Sequence, residues 1–237
     1  MVCRMVGLVG LVAVIGCSSP AAPPPPHPTE HAEAVSQAPA TRTALLEGLG
    51  RYHRPIATSN ADAQRFFDEG LTLLYGFNHE EAFRSFEHAA QLDPKTPMPH
   101  WGMALALGTN INDVAPVDRL KQAYTHLAEA QARVANGQPN EQALVRALAL
   151  RYVADPSGDQ MAREQAYSRA MGEASMRLPD DLDLATLYAE SLMNLRPWKL
   201  YRSDGTPEPG TDVVVRTLEG VLARNANHPG EIGRAHV

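Results

Sequence analysis

The body of this chain is almost without cysteine. Only two of its 237 residues are cysteines, Cys3 and Cys17, and both lie near the N-terminus. The sequence after Cys17 therefore has no thiol with which to form a disulfide or to ligate zinc through sulfur. A disulfide framework and a cysteine zinc site are excluded for that part of the chain, which must be held together by its apolar core.

Lysine and strand-like segments are also scarce. The three lysines are Lys95, Lys121 and Lys199, and the net charge is −6, so no basic stripe can neutralise nucleic-acid phosphates. The only run of β-branched residues, 213–215, lies within a helical pattern. No glycine-rich phosphate loop, Gly-x-Ser-x-Gly elbow or His-Glu-x-x-His string occurs. We therefore expect an all-α protein that binds no nucleic acid.

The first 16 residues predict a secretory signal. Arg4 precedes a mostly apolar run, Met5 to Ile15, whose eleven residues are fewer than the about 20 that a membrane-spanning helix needs. The run ends in Val14-Ile15-Gly16-Cys17, which resembles the lipobox of bacterial lipoproteins. The resemblance implies cleavage before Cys17 and acylation of that cysteine. An ordinary signal peptide with an incidental cysteine is the alternative.

An acylated Cys17 implies an exported protein that is anchored to the cell envelope by lipid. Several acyl chains anchor stably, whereas one binds only marginally. Ser18, rather than an aspartate, follows the cysteine. Within the lipoprotein resemblance, this implies the outer membrane if the host is Gram-negative.

Proline and an unusual C-terminus mark the borders of the folded part. Residues 23–26 are four consecutive prolines in a region without apolar periodicity, which is typical of a semi-rigid spacer. The last seven residues, 231–237, match the translation of a common sequencing adapter, so we expect the natural protein to continue past Gly230. The predicted organisation is a signal over 1–16, an acylated cysteine and disordered tether over 17–58, a helical repeat domain over 59–230 and a non-native tail over 231–237.

A helical-hairpin pattern begins twice with a period of 34 residues. Gly70 and Ala104 occupy equivalent positions, and small residues there allow two helices to approach closely. Ser59 with Asp62, and Asn78 with Glu81, predict the N-terminal caps of the first two helices. The positions that define the pattern are Phe66, Gly70, Leu73, Ala82, Phe86, Ala89, Pro94, Trp101, Ala104 and Leu107.

Weaker periodicity extends the helical prediction toward the C-terminus. Thr96 is predicted to cap the third helix, and a helix over 117–135 is predicted to close on a left-handed Gly137. Further helices are predicted over 140–154, 160–177, 182–195 and 211–224. The result is eight helices in four hairpins, with two irregular loops at 108–116 and 196–210.

These positions resemble the tetratricopeptide repeat, and with the lipobox the chain is similar to tetratricopeptide repeat lipoproteins. It also resembles an uncharacterised bacterial subgroup in the stretches Tyr75–Ala82, His100–Gly102 and Asn227–Gly230. The resemblance implies a right-handed superhelix of stacked antiparallel hairpins. Its concave groove would hold an extended peptide or a helix of a partner protein, without a cofactor or a metal.

Candidate partner-binding residues lie at a helix cap and in the two loops. Loops on a rigid scaffold often carry function, and exposed aromatic side chains often dominate binding energy. The candidates are Asn78, Asn110, Asn112, Asp113, Trp198 and Tyr201. The sequence predicts neither the identity of the partner nor the oligomeric state.

Two other functional hypotheses remain open at this point. The first is an enzyme or metal-binding protein that uses histidines together with the loop from Asn110 to Asp113. The histidines concerned are His79, His88, His100 and His126, of which His88 and His126 are expected to face solvent. The second is a purely structural role in an envelope assembly. The leading hypothesis is a protein-binding scaffold that is not an enzyme.

Overall fold

The computed structural model describes residues 44–232, and within that range the protein is all-α. Two isolated β-bridges occur in the described part, but no strand. One turn of 3-10 helix, Val134–Asn136, extends the fourth helix. The α-helices are α1 (Ala61–Tyr75), α2 (His79–Leu92), α3 (Met98–Ala106), α4 (Val117–Arg133), α5 (Pro139–Leu148), α6 (Gln160–Arg177), α7 (Leu182–Asn194), α8 (Thr211–Arg224) and α9 (Pro229–Ile232).

Several predictions concern residues outside that range. The signal, the acylation of Cys17 and the proline-rich run fall in residues 1–43, and most of the predicted tail falls in residues 233–237. Among residues 44–232, no helix combines the length and the apolar character that crossing a bilayer requires.

The first hairpin begins with a different cap from the one predicted. Asn60, rather than Ser59, caps α1, because its Oδ1 accepts hydrogen bonds from the amides of Asp62 and Ala63 at 3.0 and 3.1 Å. Asparagine is as good an N-terminal cap as serine, so the pattern allowed both. The prediction for α2 is confirmed, since Asn78 Oδ1 accepts from the amide of Glu81 at 3.4 Å.

The caps predicted for α3 and α4 are wrong. Pro97 occupies the N-terminal cap of α3 without a side-chain hydrogen bond, while Thr96 is fully buried and does not cap. Proline suits this position because the first helical turn leaves its amides unbonded in any case. Gly137 has φ −82°, not a left-handed conformation, because the chain passes directly into α5, whose N-terminal cap is Gln138.

Helix α5 ends six residues before its predicted end at 154. The turn that follows carries Arg151, whose side chain is almost completely buried. Its guanidinium donates to the carbonyl oxygen of Thr109 at 2.6 Å and forms an ion pair with Glu164 at 2.8 Å. Burying a charge is tolerated only with such partners.

Helices α6 and α8, in contrast to α5, have their predicted bounds.

Small residues bring the first three helices together around one ring. All the predicted pattern positions except Pro94 are buried. The Phe86 ring of α2 lies between Gly70 of α1 and Gly102 of α3, and a Cβ atom at either glycine would be 2.7 Å from a ring carbon. Close approach at glycine and ring filling beside it therefore define this part of the core.

Each helix from α1 to α8 packs against its neighbours in the chain. Contacts also join α1 to α3 and α3 to α5, as expected of hairpins that stack side by side. The loops around Ile111 and Leu200 pack, with residues of α7 and α8, in a second, smaller apolar cluster. A ninth, single-turn helix was not predicted, and α9 contacts α1, α7 and α8.

The chain before α1 also packs on the helices, although residues 17–58 were predicted to be a tether. Arg54 and Ile56 are buried, with exposed fractions of 4% and 7%. Leu46 donates its amide hydrogen to Glu69 Oε2 at 2.5 Å. The tether prediction therefore fails for the last part of its range, because one buried arginine and one isoleucine are enough to fix a segment that shows no periodicity.

Candidate functional site

A buried polar network joins the segment before α1 to the N-terminus of α7. Arg54 Nη1 donates to Asp181 Oδ1 at 2.7 Å and to Asp183 Oδ2 at 2.6 Å, and its Nη2 donates to Asp181 Oδ2 at 2.9 Å. All three side chains are at most 10% exposed. Asp181 also caps α7 through the amide of Leu184. One arginine thus holds two buried carboxylates.

Two tyrosines and a histidine complete what we call the Asp183 network. The hydroxyls of Tyr52 and Tyr75 both donate to Asp183 Oδ1 at 2.6 Å. His228 is fully buried, and its Nδ1 accepts from the amide of Gly230 at 3.2 Å, so Nε2 carries the proton. That Nε2 lies 3.1 Å from the Tyr52 hydroxyl oxygen and 3.4 Å from Asp183 Oδ1. The network therefore comprises Tyr52, Arg54, Tyr75, Asp181, Asp183 and His228.

The electrostatics of the network favour an ionised Asp183. Burial alone would raise the pKa of this carboxyl, but Arg54 and the hydrogen bonds from His228 and Tyr52 hold it well below its usual range. Burial likewise opposes the charge on Arg54, yet Asp183 and Asp181 outweigh it and raise the pKa of the guanidinium. Burial and the Asp183 charge raise the pKa of the Tyr52 hydroxyl. The tyrosine is therefore a hydrogen-bond donor at neutral pH.

Side chains of two helices bind the backbone of the segment that carries Arg54. Asp68 Oδ1 accepts from the amide of Arg54 at 3.0 Å, and Gln64 donates to the Arg54 carbonyl oxygen at 2.8 Å. Gln64 Oε1 also accepts from the amide of Ile56 at 2.9 Å. Glu141, on α5, accepts from the amide of Ala57 at 2.7 Å. Helices α1 and α5 thus hold an extended stretch of chain through its main-chain groups.

Two open clefts border this segment. The first, of about 740 Å³, is lined by residues 52–55, the start of α5, residues 177–183 and His228. The second, of about 1060 Å³, lies between residues 48–53, the end of α1 and residues 225–229. The two clefts share Tyr52, His53 and Asn225. They therefore flank the point at which the Asp183 network anchors the segment.

Of the predicted partner-binding residues, only Asn78 lines one of these clefts, the second. Asn110 is buried, and its Oδ1 accepts from the amide of Asn112 at 2.8 Å. Its side-chain amide lies 3.5 Å from His79 Nε2. Asp113 forms an ion pair with Arg119. The loop candidates therefore hold their own loop together, and Asn110 joins it to the start of α2.

Trp198 and Tyr201 lie on the other predicted loop, and both side chains are exposed. Neither residue lines either cleft. The loop itself is fixed to the protein through Leu200, which packs against the second apolar cluster. The candidate residues of the two loops are therefore separate from the clefts and do not form a single binding site with them.

The four candidate histidines do not form a common site. His88 and His126 were expected to face solvent, but each is half-buried with its ring edge-on to a phenylalanine, Phe66 and Phe83 respectively. Burial lowers the pKa of His100 to about 4 and also lowers the pKa of His126. Among residues 44–232, no three His, Cys, Asp or Glu side chains are placed to hold a metal ion.

The comparisons with known proteins identify no relative. No family model matches the chain, and no curated protein or solved structure matches it. The function must therefore be argued from the geometry of the clefts and of the Asp183 network.

Sequence reasoning missed most of the Asp183 network. Tyr75 and His228 fall in stretches that carried the subgroup resemblance, but no role followed from that. Asp181 stands just before a helical pattern and could have been read as a cap. Arg54 falls within the predicted tether. Nothing local to Arg54 or Asp183 signals their pairing, since 129 residues separate them.

Acid is expected to weaken the fold through Asp183. Its folded-state pKa lies below the unfolded value of about 3.9, so the stabilisation is present above that pH and is lost as the pH falls further. Asp183→Asn should therefore remove part of the acid dependence of the free energy of unfolding, measured by urea titration at a series of pH values. Burial raises the pKa of Asp68 and of Glu141, so these two groups make the free energy of unfolding depend on pH in the opposite direction. Because wild type and variant share both groups, their contribution cancels when the two proteins are compared. Equal slopes for variant and wild type would contradict this role.

Proposed function

We propose that this protein is an envelope-anchored scaffold of the tetratricopeptide repeat type that binds an extended segment of a partner protein. In this proposal the chain is exported, Cys17 carries the lipid, and the helices form a right-handed superhelix. The partner segment binds in the first cleft, beside the chain's own segment around Arg54. The protein is not an enzyme, and it needs no cofactor.

The packing of the helices supports the repeat architecture. Successive helices pair, and α1, α3 and α5 make the further contacts that stacked hairpins require. Glycine occupies close approaches between helices, as at Gly70 and Gly102. Stacked hairpins of this kind present their first helices along one continuous surface. Side chains of α1 and α5, both first helices of a hairpin, hold the segment around Arg54.

The observation that carries the proposal is the binding of an extended segment within the chain itself. Four hydrogen bonds run between helix side chains and the main chain of residues 54–57. Main-chain recognition of this type needs no particular ligand sequence and leaves specificity to neighbouring side chains. The first cleft continues from this segment along the start of α5 and the turn between α6 and α7.

The charged side chains of the first cleft indicate the chemistry of the partner. Asp180 is paired with Arg224, and Asp181 with Arg54. Arg177 is exposed and has no acidic partner among the described residues. A carboxylate of the partner segment would pair with its guanidinium, and arginine binds carboxylates with two parallel hydrogen bonds. We therefore assign an extended peptide with an acidic side chain to this cleft.

Photo-crosslinking in the native host tests the proposal. A photoreactive amino acid at position 177 should capture one defined protein, whereas the same amino acid at position 219, exposed on α8 and outside both clefts, should not. The captured protein, once purified, should bind the wild-type chain saturably. Arg177→Glu should weaken that binding about tenfold or more, as expected for a central charged contact. Identical adducts from both positions, or none from position 177, would contradict the proposal.

A further inference from the structure

The loop between α7 and α8 is a rigid projection. Tyr201 and Pro207 form a β-bridge, Arg202 donates its amide hydrogen to the Thr206 carbonyl oxygen at 2.9 Å, and Glu208 donates its own to that of Leu200 at 2.8 Å. The Thr211 hydroxyl also donates to the Leu200 carbonyl oxygen at 2.6 Å, which ties the loop to the start of α8. The conformation of the loop is therefore fixed by these hydrogen bonds together with the packing of Leu200.

This loop exposes two large aromatic side chains. Trp198 is 64% exposed and Tyr201 is 51% exposed. Trp198 also has φ 60°, a left-handed conformation that is costly for a bulky residue. Residues held in such conformations cluster at binding sites, where the surrounding structure keeps them in place. The exposed indole of Trp198 on this strained, hydrogen-bonded loop therefore indicates a binding surface.

Three cations surround the aromatic pair. Arg196 and Arg202 both lie near Glu208, at 3.6 and 2.9 Å, and this shared carboxylate braces the loop. Lys199 is exposed and has no acidic partner in the described part of the chain. The protein as a whole carries a net charge of −6, so this short segment is opposite in sign to the net charge of the chain. The segment 196–202 is what we call the aromatic–basic loop.

We propose that the aromatic–basic loop binds the surface of an anionic lipid bilayer. Tryptophan and tyrosine favour the membrane–water interface, where an apolar ring is covered and its polar edge stays hydrated. Lys199, with the two arginines beside it, is attracted to anionic headgroups. This contact is made by the helical domain itself and does not depend on acylation of Cys17. It would fix the orientation of the clefts relative to the membrane.

The protein contains its own probe for this contact. It has two tryptophans, and Trp101 is only 1% exposed, so a change in emission on lipid binding reports on Trp198. The full chain is added to vesicles of phosphatidylcholine and phosphatidylglycerol in equal parts, and to phosphatidylcholine alone. With the anionic vesicles, the emission should shift to shorter wavelength and be quenched by lipids brominated near the headgroup. Trp198→Phe should abolish both changes.

A matched pair of charge reversals separates a local contact from general attraction. Lys199→Glu should raise the lipid concentration at half-maximal shift about fivefold or more, which is the effect of one cation near an anionic surface. Lys121→Glu, the same change on the exposed surface of α4, should leave it unchanged. Tyr201→Ser should weaken binding about tenfold through lost apolar burial.

Three results would overturn the assignment. The first is an unchanged Trp198 emission on anionic vesicles, even if the chain sediments with them through its N-terminus. The second is an equal effect of the two lysine reversals. The third is an emission shift caused by a purified protein partner and not by vesicles, which would make the loop a protein-binding surface.

Discussion

Replacing Arg54 with methionine is expected to lower the free energy of unfolding by about 3–5 kcal/mol. The substitution keeps an unbranched side chain in the buried position but removes the charge that faces Asp181 and Asp183 at 2.7 and 2.6 Å. Both carboxylates would then remain buried without their cation. Removing one member of a buried ion pair is costly because the partner keeps its desolvation penalty.

Arg65→Met is the matched control for this prediction. Arg65 pairs with Asp62 on the surface of α1, and both side chains are more than 60% exposed, at 63% and 62%. An exposed pair contributes only about 0–1 kcal/mol. Urea unfolding followed by circular dichroism measures both variants under the same conditions. If the two substitutions had similar effects, Arg54 would not be the cation on which the buried network depends.

The network also explains how the two ends of the described chain meet. Tyr52 and His228 are 176 residues apart, yet the Tyr52 hydroxyl lies 3.1 Å from the His228 ring nitrogen. Gly230 packs against Tyr75 of α1 and Thr186 of α7, where a Cβ atom would lie 2.6 Å from the Thr186 methyl. The segment before α1 and the short helix α9 therefore meet beside α1 and α7. The segment before α1 lines both clefts, and Pro229 of α9 lines the second.

The helices could be predicted because their signals are local. Helix α6 has its predicted bounds since Asp159, a good cap, precedes a long periodic segment. The period of 34 residues likewise identified Gly70, which lies against the Phe86 ring, but the second small residue at that ring is Gly102 rather than Ala104. All-α architecture therefore followed from spacing alone. Errors at Ser59 and Thr96 concern single residues at helix ends, where several side chains can serve as the cap.

The site could not be predicted in the same way because its members are distant in sequence. A lone arginine in an aperiodic segment gives no sign that two aspartates 127 and 129 residues away will surround it. The same holds for Arg151, which ended α5 early by pairing with Glu164 and with the Thr109 carbonyl. Tertiary pairing of buried charges overrides local propensity at these positions.

Gly102→Ala is expected to destabilise the protein by about 1–3 kcal/mol, the usual cost of overpacking a filled core. Alanine is the better helix former by about 1 kcal/mol, so helix propensity alone predicts the opposite sign. The new Cβ atom would lie 2.7 Å from two carbons of the Phe86 ring and 2.8 Å from a third. That ring is fully buried and is already held from the other side by Gly70, so it has no room to move away.

Gly220→Ala on α8 is the control that separates the cost of overpacking from the gain in helix propensity. A Cβ atom at position 220 has no neighbouring atom within 4 Å. This control should stabilise the protein by up to about 1 kcal/mol. Phe86→Leu combined with Gly102→Ala should cost less than the sum of the two single changes, since the smaller side chain makes room for the methyl group. Thermal and urea unfolding of the four proteins measures this coupling. A stabilising Gly102→Ala would mean that α2 and α3 can separate freely, and the close contact between Gly102 and the Phe86 ring would not constrain the fold.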